Sequence, residues 1–124
     1  EKKEEEEVIN ICINNIAYDI LGDYLGEKGI GKSTIIKTIL ECYKRNLEIF
    51  TMDDIEKQYG FMMEKISSGQ RIFDFAVFFA NGLHDLAEQS KSNKVYQQEK
   101  LRKLELAQQQ RKERSFFFYN WLEN

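Results

Sequence analysis

The scarcities of this chain narrow its readings before any motif is considered. It contains no proline, where average usage would supply about six. Nothing in it therefore breaks a helix by removing a backbone donor, and long helices joined by glycine turns are the expectation. Its two cysteines, Cys12 and Cys42, both fall at apolar positions of helical stretches. That pattern fits buried thiols in a reducing compartment, hence a cytoplasmic setting, and not a disulfide framework. A single histidine, His84, and the lack of any C-x-x-C pair offer no ligand set for a metal, and no cofactor is expected. No apolar run reaches the roughly 18–20 residues that span a bilayer, so membrane insertion is not expected either. The opening residues are acidic, unlike the basic start of a secretory signal, and the chain begins on Glu1, as a piece of a longer protein would.

What is present describes an ordinary globular domain. With 124 residues, 42% of them hydrophobic and 31% charged, the chain can bury one core without staples. A net charge of −3 argues against general nucleic-acid binding, whose usual footprint is a basic face. The charge is uneven: residues 1–7 hold five Glu and two Lys, whereas residues 94–114 hold seven basic and three acidic side chains. A single domain over 1–124 is expected, with a flexible acidic start at 1–7 and a projecting basic helix and aromatic tail at 94–124.

Hydrophobic periodicity supplies the elements. Residues 8–25 read as one amphipathic helix with Ile9, Ile13, Ile16 and Ile20 on its apolar face. Gly26, Gly29 and Gly31 end it. A second helix starts near Ser33 as cap and runs to about Arg45, with Ile35, Ile36, Ile39, Leu40 and Tyr43 on one face. Leu47 to Phe50 is a short strand or extended linker. Thr51, followed by Asp53 and Asp54, starts a third helix that carries Met52, Ile55, Tyr59, Met63 and Ile66 and is interrupted at Gly60. A fourth, from Arg71 to about Glu88, is apolar nearly all round between Ile72 and Ala80 and is the expected centre of the core. A long polar helix over 94–114 follows, with Val95, Leu101, Leu104 and Ala107 as a narrow stripe. The fold class is thus mainly α: a compact bundle of about five helices with a long C-terminal helix.

The run from Gly26 to Ser33 satisfies the phosphate-binding pattern G-x-x-x-x-G-K-S/T, in which loop N–H groups cradle phosphates and a lysine reaches them. Lys32 and Ser33 would carry that role, and Asp74 would be the acidic partner for Mg²⁺. A working phosphate loop needs a buried strand in front of it. The same letters read as the turn and recognition helix of a helix-turn-helix, with Lys32, Ser33, Thr34 and Lys37 offered to phosphates or bases. A plain glycine turn between two helices is the third reading. Another helix-turn-helix candidate spans Thr51 to Gly69, although Glu56 stands where helix packing needs a small residue and Glu64 would face DNA phosphates.

The stretch from Leu47 to Gly60, with Phe50-Thr51, Ile55-Glu56 and Tyr59-Gly60 at its marked positions, resembles the strand and following helix of phage tail assembly chaperones. Phe79-Ala80-Asn81-Gly82-Leu83-His84 is similar to the end of a further helix in that family, and the resemblance covers residues 46–86. It implies a small non-enzymatic protein that holds tail components ready for assembly, with no catalytic residues to carry over.

Phe116, Phe117, Phe118, Tyr119, Trp121 and Leu122 form the closing aromatic tail. Each would contribute roughly 1.5–3 kcal/mol if buried, either on the domain's own core or in a partner. Exposed, they would make a patch of the kind that marks binding surfaces. His84 has no linked serine or cysteine. The pairs Asp53–Asp54 and Asp85–Glu88 fit helix-end electrostatics better than acid–base catalysis. The reading is therefore a non-enzymatic interaction or assembly factor, of phage or mobile-element origin, that binds a protein partner or itself through helical surfaces and the tail. A DNA-binding regulator and a phosphate-loop protein are the alternatives.

Overall fold

The structure is a computed structural model that describes residues 2–91 and 93–111. Six helices follow one another: α1 (Lys2–Asn14), α2 (Ile16–Glu27), α3 (Lys32–Lys44), α4 (Met52–Ser67), α5 (Phe75–Lys91) and α6 (Lys94–Arg111). Among the described residues there is no strand, and the helices enclose one core built on Tyr18, Leu21, Leu25, Ile35, Ile39, Phe50, Ile55, Met62, Phe79 and Leu83. The fold is an all-helical bundle.

The helix expected over 8–25 is two helices, and Asn15 divides them. Its backbone is extended (φ −142°, ψ 109°). Its Oδ1 accepts from the Ala17 N–H at 3.0 Å, capping α2, while its Nδ2 donates to the Glu48 carbonyl at 2.9 Å. An asparagine that satisfies helix N–H groups from outside the helix competes with helix continuation. The break resets the register. α1 buries Val8, Ile11 and Cys12, α2 buries Ala17, Tyr18, Leu21 and Leu25, and Ile13, expected inside, lies half exposed. Residues 2–7, expected as a flexible start, form the first turns of α1.

α2, α3 and α4 end in the same way. In each, the residue two beyond the cap donates to a carbonyl five back: Ile30 to Leu25, Leu47 to Cys42, Gln70 to Lys65. The residue between is left-handed, being Gly29 (φ 83°), Asn46 (φ 58°) and Gly69 (φ 92°). This is the Schellman arrangement, which satisfies the orphan carbonyls of a helix end. After Asn46 the chain crosses the bundle as a linker at 47–50 and not as the strand that the resemblance implies. Leu47 and Phe50 are buried there; the Tyr18 hydroxyl donates to the Leu47 carbonyl, and Phe50 stands edge-on to the Tyr18 ring at 5.2 Å.

α4 begins with a capping box, Thr51 and Asp54 each satisfying the other's backbone N–H. It runs unbroken through Gly60, which is exposed, so the sequence-expected interruption is absent and 51–69 is one helix and its end. Its buried stripe is Ile55, Gln58 and Met62; Met52 and Ile66, expected in the core, face water. α5 starts at Phe75 and not Arg71, because the Asp74 carboxylate accepts from the Val77 N–H at 3.2 Å and caps it. It packs against α3, α4 and α6, which makes it central as expected.

Candidate functional site

The glycine run divides between two helices. Gly26 belongs to the last turn of α2, residues 28–31 form the turn, and Gly31 caps α3 without a side-chain bond. Ser33 is therefore inside the helix and not its cap. The segment that delivers the turn is helical through Glu27, so the strand that a phosphate loop requires is not present in front of it. Lys28 lies over the rings of Tyr24 and Tyr59, 5.3 and 5.7 Å from their centroids. Asp74 caps α5 and does not lie on a strand.

Lys32, Ser33 and Lys37 are exposed and Thr34 half-buried, on the first two turns of α3. Their surroundings are acidic. Lys32 pairs with Glu5 at 3.0 Å, and Lys37 shares a hollow with Glu4, Glu7 and Glu41. The Thr34 backbone carbonyl accepts from the Thr38 hydroxyl at 2.7 Å. The structure brings the four residues together but places carboxylates where a DNA-binding face carries cations.

α6 presents the larger difference from the sequence expectation. Its apolar stripe is not Val95, Leu101, Leu104 and Ala107. Leu104 is buried and Ala107 half-buried, but Leu101 is exposed and Val95 is 71% exposed. The inward stripe is Gln97, Lys100, Leu104 and Ala107. Lys100 is buried against Asp54, N to O 2.8 Å, and Lys103 bonds Asp53 at 3.1 Å. That hydrogen bond, with the Asp53 charge behind it, raises the Lys103 pKa. The two aspartates of the α4 first turn thus receive two lysines one helical turn apart. Of the basic side chains in 94–114, Lys100 and Lys103 thus tie α6 to the start of α4. Sequence reasoning placed Asp54 at the start of α4 but missed Lys100 as its partner; the available signal was a lysine in phase with Leu104 and Ala107.

At the α1–α2 break lies a cleft of about 420 Å³ between α1, the start of α2, the end of α3 and the linker. Tyr18, buried at its base, has its hydroxyl pKa raised by burial and then by the neighbouring Cys42. Near its α3 side, Glu41 is held below the usual carboxylate range by hydrogen bonds from Arg45 and Lys44. His84 sits half-buried on α5 with its Nε2 3.6 Å from the Glu88 carboxylate. Among the described residues, no group of three or more His, Cys, Asp or Glu side chains could hold a metal, and no helix is long and apolar enough to cross a membrane. Phe116, Phe117, Phe118, Tyr119, Trp121 and Leu122 lie outside the described residues. Comparison with protein-family models, with curated proteins and with solved structures gives no match to this chain.

Proposed function

We propose that this chain is a small non-enzymatic assembly factor that binds itself or a protein partner through α6 and the aromatic segment that follows it, in the manner of the phage tail assembly chaperones that residues 46–86 resemble. The observation that carries the reading is the two-sidedness of α6. One stripe, Gln97, Lys100, Leu104 and Ala107, is used against the bundle. On the far side Val95 and Leu106 stand in water, 71% and 50% exposed. Eleven residues apart, they return to the same side of the helix after three turns. An α-helix clamped by buried charge and presenting aliphatic side chains outward is a platform for helix-to-helix docking. Chain order then takes it directly into six large apolar side chains at 116–122.

The test is the solution mass by light scattering of the intact chain, of a chain ending at Arg114, and of the double variant Val95→Ser/Leu106→Ser. The expected result is an oligomer for the intact chain, and a folded monomer with unchanged melting temperature for the other two. A monomer in all three cases, with truncation lowering the melting temperature, overturns the reading and returns the aromatic segment to the chain's own core.

A further inference from the structure

The cleft at the α1–α2 break has a chemistry separate from that of α6. Its volume, about 420 Å³, lies within the roughly 300–1,000 Å³ of small-ligand sites. The floor is apolar, made by the buried side chains of Ile11 and Leu47 and the Tyr18 ring. Around it stand four asparagines. Asn15 is engaged in capping α2 and in holding the linker. Asn10, Asn14 and Asn46 line the cleft as well, and all three are exposed. Asn46 ends α3 in the left-handed conformation that glycine takes at the ends of α2 and α4. Asparagine is the next most tolerated residue there, and unlike glycine it brings an amide to the rim.

A primary amide presents a donor and an acceptor in one plane. That is the complement of a main-chain N–H and C=O pair, which an extended peptide offers along its edge. Three such amides over an apolar floor suit the donors and acceptors of a polypeptide backbone. Charge adds a preference. Glu7 and Glu48 line the cleft. Glu7 and the exposed Tyr43 also line the adjoining hollow of about 430 Å³, where Glu4, Glu41 and Asp74 join Glu7 against Lys37 and Lys44. Tyr43 stands edge-on to Tyr18 at 6.3 Å and forms an amphipathic wall.

We propose that this cleft binds a short extended segment of a partner protein that carries a lysine or arginine. Asn10, Asn14 and Asn46 hydrogen-bond its main chain, and Glu7 and Glu48 receive its cation.

The test is an NMR titration of the ¹⁵N-labelled chain with acetyl-Ala-Lys-Ala-amide, its Glu and Leu counterparts, and chitobiose. A parallel titration uses the triple variant Asn10→Ala/Asn14→Ala/Asn46→Gly. The variant keeps its fold, since alanine favours the two helical positions and glycine the left-handed one. The expected result is that the Lys peptide moves the side-chain amide signals of the three asparagines. Affinity then falls about fivefold, the ceiling for exposed ion pairs, for the Glu peptide, and at least as far in the variant at an unchanged melting temperature. The proposal is overturned if no peptide moves these signals at millimolar concentration, if the Glu peptide binds equally well, or if only chitobiose binds, which would make the cleft a saccharide site.

Discussion

Lys100 places its ammonium 2.8 Å from the Asp54 carboxylate, and both side chains are only 4% exposed. The same carboxylate oxygen accepts from the Thr51 N–H at 3.1 Å. The group that starts α4 is therefore also the group that seats α6. On the same inward stripe of α6, Leu104 is buried and Ala107 half-buried beside the pair.

Removing one partner leaves the other charge buried and uncompensated, which costs about 3–5 kcal/mol, whereas replacing both partners is often close to neutral. Lys100→Met is accordingly expected to lower stability by about 3–5 kcal/mol, and the added change Asp54→Asn, which keeps an acceptor for Thr51, to recover most of it. Urea denaturation of the single and double variants measures both. A loss below about 1 kcal/mol for Lys100→Met would mean that α6 is held by some other contact, since even a typical point substitution costs that much.

Gly82 on α5 lies against the Gln58 side chain of α4. A Cβ built on it would lie 2.1 Å from the Gln58 amide atoms, and Gln58 is buried there with its Nε2 donating to the Phe78 carbonyl at 3.4 Å. Gly82→Ala must expel that amide, at about 1–3 kcal/mol for a lost buried hydrogen bond, against a gain of about 1 kcal/mol in helix propensity. In a Gln58→Ala background only the gain remains. The expected outcome is a change of sign: Gly82→Ala destabilises the native sequence and stabilises the Gln58→Ala variant. Equal effects in the two backgrounds would show that the helices do not meet at this pair.

The helical class and most helix positions were legible in the sequence, because periods of apolar residues and glycine punctuation report local geometry. Registers were less legible. Ile13 obeys the apolar spacing of 8–25, yet it is exposed because Asn15 resets the rotation between α1 and α2. Met52 and Ile66 fit the stripe of α4, but Gln58 takes an interior place beside Gly82. Lys100 could not be read as interior, since its burial depends on Asp54, 46 positions earlier in the chain. Local pattern carries amphipathicity; it does not carry the identity of a distant ion-pair partner. The amide cleft was missed for the same reason, since it joins Asn10 and Asn14 on α1 with Asn46 beyond α3. The acidic surroundings of Lys32 and Lys37 likewise arise from α1 lying beside α3.

Asn15 itself gives the next expectation. Asn15→Ala deletes both the α2 cap and the bond to the Glu48 carbonyl, and an N-cap loss alone costs about 0.5–2 kcal/mol. Alanine also favours continuation of the helix through the break. Far-UV circular dichroism is expected to show equal or greater helix content in a protein that melts at lower temperature. A variant as stable as the parent would indicate that packing of Tyr18 and Leu47, and not the asparagine, sets the break.

Cys42 is fully buried on α3, and that burial pushes its thiol pKa from 9.0 up to about 12. The thiolate is the reactive form, so a disulfide reagent at pH 8 is expected to modify Cys42 only as fast as the protein opens. In urea, labelling is expected to be immediate. The same shift links stability to pH. The folded state holds the thiol proton more tightly than the unfolded state does, so this contribution is complete below about pH 9 and declines as pH rises toward 12. Cys42→Ala removes the titrating group and is expected to flatten that alkaline slope, though with a lower plateau because the cavity left behind is unfilled. Denaturation curves between pH 8 and pH 11 for the parent and the Cys42→Ala variant measure it. An unchanged slope would assign the alkaline loss to another group, and rapid labelling of the native protein at pH 8 would show that α3 does not stay closed over the thiol.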